Sequence, residues 1–133
     1  MIPKFRAWDS AKKEMFKDTF AITESGQVVV VEQESVASSP DYVFVDHLVI
    51  MQSTGLKDKN GKEVFEGDIL AFETDDEVIN VNVFWDEEHA LFMFESKKYN
   101  EQEPLAELVE NNTYPFEIIG NIYENPELLE DKE

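Results

Sequence analysis

The chain lacks cysteine altogether and holds only two histidines in its 133 residues. Without cysteine it cannot form a disulfide or a thiolate metal site, and this composition is typical of a reducing compartment. The two histidines, His47 and His89, are far apart in sequence and form no HxH or HxxxH pattern. We therefore expect them to be surface or core-edge residues, and we predict no metal site and no cofactor.

Long apolar runs are also missing. No stretch approaches the roughly 20 apolar residues that span a bilayer. The first residues, MIPKFRAWDSAKKEMF, lack the apolar region of a signal peptide. These absences predict a cytoplasmic protein without a membrane partner.

Positive charge is scarce. Eleven Lys and Arg residues stand against 30 Asp and Glu residues, which gives a net charge of −19. The negative charge is distributed unevenly, because residues 1–20 carry a net charge of +2 whereas residues 57–133 carry a net charge of −16. A surface of this sign repels phosphate groups and attracts basic proteins, so we expect no direct nucleic-acid binding.

Familiar catalytic and phosphate-binding motifs are absent too. The chain contains no GxSxG, no P-loop and no dinucleotide fingerprint. The stretch DKNGK at 58–62 fails the calcium-loop pattern, because Gly61 stands at position four and Ile69 at position twelve. Neighbouring carboxylates such as Glu66 and Asp68 are expected by chance in so acidic a chain, and a surface turn lacks the apolar pocket that raises a catalytic pKa. We predict no catalytic residue and no enzymatic activity.

Apolar residues are plentiful enough to build a core. They make up 42% of the chain and include ten Phe, four Tyr and two Trp, so we expect a folded protein of ordinary domain size. Residues 1–50 predict an N-terminal arm or subdomain. Its predicted elements are a strand over 4–8, a turn over 9–16, a strand over 27–33, a loop over 34–40, and a run over 42–52 that fits either a strand or a short helix.

Aromatic and methionine residues concentrate in the first part of this arm. Because such residues are enriched in the cores of protein interfaces, we predict an oligomer interface there. The predicted contact residues are Phe5, Trp8, Met15, Phe16 and Phe20.

Residues 51–133 show the alternation of antiparallel strands. Asn60-Gly61 predicts a hairpin turn, because both residues tolerate positive φ. Asp68 and Asn121 follow glycines, and we predict that their side chains bond nearby backbone groups. The predicted elements are strands over 68–72, 78–85, 91–94 and 114–120, and a short helix over 104–110 that begins at Pro104 and ends at Asn111-Asn112. This order predicts a mainly β (α+β) fold with a small SH3-like antiparallel β-barrel.

Three blocks of the sequence are distinctive: KFRAWD at 4–9, LVIMQSTGLKDKNGKEVFEGDIL at 48–70 and IGNIYENPELL at 119–129. In this order and at this spacing they resemble the YopX family, small proteins encoded by bacteriophages and prophages. The resemblance implies a β-rich C-terminal barrel, a distinct N-terminal part and assembly as an oligomer. It implies no reaction, cofactor or catalytic residue, so no functional residue is carried over.

The leading functional hypothesis is a non-enzymatic phage accessory protein that acts through protein–protein contacts, as a homo-oligomer or with a basic host or phage protein. An alternative from another class is mimicry of a nucleic acid, in which rows of carboxylates inhibit a host DNA-binding protein. A weaker alternative is a Mg²⁺-dependent hydrolase or nuclease that uses surface carboxylates.

Overall fold

A computed structural model describes residues 4–17, 20–32, 37–39, 41–110 and 115–130. The chain divides into two compact units, residues 1–52 (unit 1) and residues 53–133 (unit 2). Both units consist mainly of antiparallel strands, which confirms the mainly β fold class. Most of the predicted loop over 34–40 and the predicted helix end at Asn111-Asn112 lie outside the described residues.

Unit 1 is formed by short antiparallel strands. Its elements are β1 (Phe5–Asp9), β2 (Glu14–Phe16), β3 (Phe20–Ile22), β4 (Val28–Glu32), β5 (Asp41–Val45) and the first half of β6 (Leu48–Lys57). β1 lies between β2 and β6, and β4 lies between β3 and β5. The sequence of β4, VVVVE, suits its central position, because β-branched side chains pack well against neighbouring strands.

Asp9 organises the turn that follows β1. Its Oδ1 accepts the backbone N–H groups of Ala11 at 2.9 Å and Lys12 at 3.1 Å, and His47 Nε2 lies 3.3 Å from the same oxygen. The Lys12 N–H contributes most to lowering the pKa of Asp9, with burial opposing it and His47 adding to it. The turn is shorter than the predicted 9–16, because residues 14–16 form β2.

The run over 42–52 forms two strands. Asp46 and His47 form a bend that separates β5 from β6. The short helix is not confirmed, since the described residues of unit 1 contain strands and turns only.

Unit 2 is built on a five-stranded antiparallel sheet in the order β11-β10-β9-β8-β12. The second half of β6 pairs with β7 in a hairpin beside this sheet. The elements of unit 2 after β6 are β7 (Glu63–Phe65), β8 (Asp68–Glu73), β9 (Val78–Asp86), β10 (Leu91–Ser96), β11 (Glu101–Pro104), α1 (Ala106–Glu110), β12 (Phe116–Asn121) and a 3-10 helix (Pro126–Leu129).

The core of unit 2 follows the alternation of its strands. Val81 and Val83 are fully buried, as the pattern of β9 predicts. Trp85 continues the same alternation but stays 39% exposed at the strand end, where its ring packs edge-on against Phe92 at 4.9 Å. The buried cluster consists of Val64, Leu70, Val81, Val83, Phe94, Leu105 and Phe116.

One local prediction for unit 2 is wrong, the start of the helix at Pro104. Residues 101–104 form β11, which pairs with β10, so Pro104 ends a strand and the helix begins at Ala106. The predicted hairpin turn at Asn60-Gly61 is present between β6 and β7, and Gly61 adopts a positive φ of 81° whereas Asn60 does not. The edge strands β11 and β12 do not pair with each other among the described residues. Closure into an SH3-like barrel therefore stays a prediction.

Candidate protein-contact site

β5 lies at the edge of the three-stranded sheet of unit 1. It pairs with β4 from Val28↔Val45 to Glu32↔Asp41, and no described strand pairs with its other side. An edge strand presents unpaired backbone N–H and C=O groups that can bond a further strand. β5 is therefore competent for backbone pairing with another chain.

The three central side chains of β5 are apolar and exposed, and they lie on both faces of the sheet. Tyr42 and Phe44 are 66% and 67% exposed, and Val43, which points to the opposite face, is 40% exposed. Proteins usually protect edge strands with charged residues or proline, and these three central positions carry neither. Such contiguous exposed apolar surface is typical of an interaction site.

An open cleft of about 580 Å³ adjoins this strand within unit 1. Its lining mixes apolar side chains with polar atoms, and among the described residues Asp46 is its one charged lining residue. Among the described residues, the lining is Gly26, Gln27, Val28, Phe44, Val45, Asp46, Leu48 and Ile50. This chemistry fits a contact surface better than a catalytic pocket, which needs convergent polar groups.

Net charge differs sharply between the units. Residues 1–52 contain five basic and eight acidic residues, for a net charge of −3. Residues 53–133 contain six basic and 22 acidic residues, for a net charge of −16. Electrostatic repulsion between two copies is therefore weakest where unit 1 meets unit 1.

The sequence-predicted contact residues are used mainly inside unit 1. Trp8 is 8% exposed and lies opposite Met15 in the pairing of β1 with β2. Phe5, Phe16 and Phe20 are half-buried. The sequence signal for β5 is the apolar run YVFV between Asp41 and Asp46, which is obscured when 42–52 is taken as one element.

One group of potential metal ligands lies in the turn after β9, in the part of the chain that the structure describes. Asp86, Glu88 and His89 offer ligand atoms within 4.8 Å of one another. Asp86 Oδ1 accepts the backbone N–H groups of Glu88 and His89 at 3.0 and 3.3 Å, and its Oδ2 lies 2.8 Å from His89 Nδ1. The His89 side chain is the main cause of the lowered pKa of Asp86, with burial opposing it. Because Glu88 and His89 are exposed, we interpret the group as a hydrogen-bonded turn.

Asp58 joins the hairpin of β6 and β7 to β12. Its Oδ1 accepts the backbone N–H groups of Asn60 at 2.9 Å and Lys62 at 2.8 Å, and its Oδ2 accepts that of Ile118 at 3.0 Å. Burial acts to raise the pKa of Asp58, but these three donors outweigh it and the pKa is lowered. The DKNGK stretch therefore has a structural role built on one buried carboxylate.

Asp68 and Asn121 also bond the backbone, as predicted. Asp68 is 1% exposed, and its Oδ2 accepts the N–H of Phe65 at 2.8 Å. Asn121 Oδ1 accepts the N–H groups of Tyr123 at 3.0 Å and Glu124 at 2.8 Å. These oxygens are engaged in holding turns.

Comparison with known proteins agrees with the fold described above. The sequence pattern of the family described as YopX protein matches residues 4–130. The chain belongs to the YopX family. The crystal structure of protein EF1440 from Enterococcus faecalis is 30% identical with a TM-score of 0.62, and the match covers 98% of this chain and 99% of that one. The crystal structure of YopX from Bacillus subtilis is 21% identical with a TM-score of 0.66, and the match covers 95% and 97% of the two chains.

The YopX assignment establishes the family and the β-rich fold. No curated protein matches the chain, and the names of the two similar structures state no activity or ligand. Among the described residues, no helix of this YopX protein has the length and apolar character to cross a membrane. Function must therefore be inferred from the surfaces of the molecule.

Proposed function

We propose that this YopX protein is a non-enzymatic accessory protein of a bacteriophage or prophage, which acts in the bacterial cytoplasm through protein–protein contacts. Its copies assemble through β5. The observation that supports this most is an edge strand that exposes Tyr42, Val43 and Phe44 together. In the same proposal the sheet of unit 2 belongs to the SH3-like class, and its charge keeps the assembly soluble or attracts a basic partner.

The length of β5 and the order of its residues suit antiparallel pairing with the β5 strand of a second copy. Val43 is the middle residue of β5, so a two-fold axis at Val43 places Tyr42 of one copy opposite Phe44 of the other. Cross-strand aromatic pairs contribute about 0.2–1 kcal/mol each, and two such pairs form by symmetry. The three-stranded sheets of the two copies then join into one continuous sheet.

Sedimentation velocity tests the proposal on the wild type and two lysine variants. Phe44→Lys places a charge at the centre of the proposed contact, and we expect it to give a monomer. Val78→Lys makes the same charge change at an exposed strand residue of unit 2, where Val78 is 58% exposed, and we expect it to assemble like the wild type. A wild type that stays monomeric over a wide concentration range, or equal disruption by both variants, contradicts the proposal.

A second candidate is mimicry of a nucleic acid, which is favoured by the charge of −16 in unit 2. On this hypothesis the acidic surface occupies a host DNA-binding protein. A pull-down from bacterial lysate at low salt, eluted with duplex DNA, tests it. Recovery of no DNA-binding protein removes this candidate.

A further inference from the structure

A small cleft in unit 2 combines an apolar floor with an acidic rim. Its volume is about 220 Å³, which is below the range of about 300–1,000 Å³ for pockets that hold drug-sized ligands. Space of this size fits one long side chain. The main lining residues are the apolar Phe72, Ile79 and Phe94 and the carboxylates Glu101, Glu103 and Glu107.

The floor is apolar surface that the core leaves uncovered. Phe72, Ile79 and Leu108 pack against the buried cluster of unit 2 but are themselves only partly buried. Phe72 and Phe94 meet edge to face with ring centroids 6.1 Å apart, so the two rings pack together in the floor. An aliphatic chain placed there removes apolar area from water.

The rim carries an excess of negative charge. Glu101 and Glu103 come from β11 and Glu107 from α1. Burial, followed by the charges of Glu107 and Glu101, raises the pKa of Glu103, and a hydrogen bond with Glu107 acts in the same direction. A cation at this rim relieves the repulsion among the three carboxylates.

Lys98, which precedes the cleft residue Tyr99 in sequence, is engaged elsewhere. Lys98 Nζ lies 2.7 Å from Glu77 Oε1 and 5.5 Å from the centre of the Tyr99 ring, and Tyr99 also donates its hydroxyl to Glu77. Among the described residues, no lysine or arginine forms an ion pair with Glu101, Glu103 or Glu107. The rim therefore lacks a cationic partner from the described part of the chain.

We propose that this cleft binds one lysine or arginine side chain of a basic protein partner. The aliphatic part of the side chain lies on Phe72, Ile79 and Leu108, and its charged end reaches the rim carboxylates, as long basic side chains commonly do at apolar surfaces. The rest of the charge of unit 2 lies outside the cleft and favours a partner whose positive charges are spread over a surface. The inference rests on the proposed protein-contact function but uses a surface other than β5.

Methyl NMR with a peptide of alternating lysine and glycine tests the inference on the full chain. We use Phe44→Lys as the background, so that failure of assembly through β5 does not affect the result. The methyl signals of Ile79 and Leu108 should shift most on binding. The same peptide with acetylated lysines should cause no shift, because it keeps the backbone and loses the charge.

Matched charge variants separate a specific site from general attraction. We expect Glu103→Gln with Glu107→Gln to weaken peptide binding by about tenfold, since truncating one partner of a close charge pair is costly. Glu87→Gln with Glu88→Gln makes the same charge change in an exposed turn, and we expect a much smaller effect. Thermal unfolding of both double variants checks that they fold.

Three outcomes overturn the inference. Equal weakening by the two pairs of substitutions shows attraction by net charge alone. Unmoved Ile79 and Leu108 signals show that the peptide binds elsewhere. If spermine shifts the same methyl signals and binds as tightly as the lysine peptide, the cleft is a site for a free polyamine and not for a protein side chain.

Discussion

Both units of the chain consist of antiparallel strands, but they differ in net charge and in the apolar surface that they expose. Unit 2 buries an apolar cluster and carries a net charge of −16, whereas unit 1 carries −3 and exposes Tyr42, Val43 and Phe44 on an edge that no described strand covers. Strong like charge keeps copies of unit 2 apart. An apolar edge with little net charge favours contact. Under the proposed function, self-contact uses unit 1, whereas the surface of unit 2 stays in solvent or meets a cationic partner.

The largest expected effect compares an apolar residue of each unit. Leu70 is fully buried in unit 2, and Leu70→Ala should lower the free energy of unfolding by about 2–5 kcal/mol because it removes transfer energy and leaves a cavity. Phe44→Ala should change the stability of the monomer by less than about 0.5 kcal/mol, because its side chain is mostly in solvent. Urea unfolding below the assembly concentration measures both. Comparable losses from the two substitutions would show that Phe44 belongs to a core.

A smaller effect is expected at the tether between the β6–β7 hairpin and β12. Asp58→Ala removes the acceptor of three part-buried hydrogen bonds from backbone N–H groups, and we expect a loss of about 1–3 kcal/mol in the free energy of unfolding. Asp75→Ala changes the same residue type in an exposed turn and should cost less than about 0.5 kcal/mol. Urea unfolding of the two variants at neutral pH tests this. Equal stability of the two would show that the Asp58 bonds contribute little.

Acidification should reduce the contribution of Asp58. Its folded-state pKa is lowered, so its stabilisation is present above the usual aspartate pKa of about 3.9 and is lost as the pH falls through the lower folded-state value. The difference in unfolding free energy between wild type and Asp58→Asn should therefore be largest above about pH 5 and shrink below about pH 4. Asp75→Asn is the matched control. A gap that widens on acidification would contradict the lowered pKa.

The smallest effect is expected at the turn after β9. His89→Ala should change the free energy of unfolding by less than about 0.5 kcal/mol, because exposed ion pairs contribute little. Millimolar Mg²⁺ should leave the thermal midpoint of the wild type unchanged. A clear rise in the midpoint that disappears in Asp86→Asn would favour the metal-dependent hydrolase.

The sequence was sufficient to predict the features that depend on residues adjacent to one another in the chain. Alternation located β9, an apolar run located β10, and glycine followed by a short polar residue located the turns held by Asp68 and Asn121. β11 was missed because Glu101, Gln102 and Glu103 carry no apolar alternation, and its pairing with β10 makes it a strand. Pairing between distant segments, and not local preference, decided this element.

The candidate site was harder to predict from the sequence than the fold. Trp8 and Met15 are rich in apolar surface, yet their pairing across β1 and β2 turns that surface inward. The exposure of Tyr42 and Phe44 depends on β5 being an edge strand, which follows from the topology of the sheet. The acidic cleft likewise joins residues of β8, β9, β10, β11 and α1, which composition alone cannot place together.

Hydrogen exchange at two protein concentrations tests the separation of the two surfaces most directly. Backbone amides on the free side of β5 should gain protection as the concentration rises, because they become bonded to a second copy. The amides of the edge strand β11 in unit 2 should exchange at the same rate at both concentrations. Concentration-dependent protection in β11, with none in β5, would contradict the account.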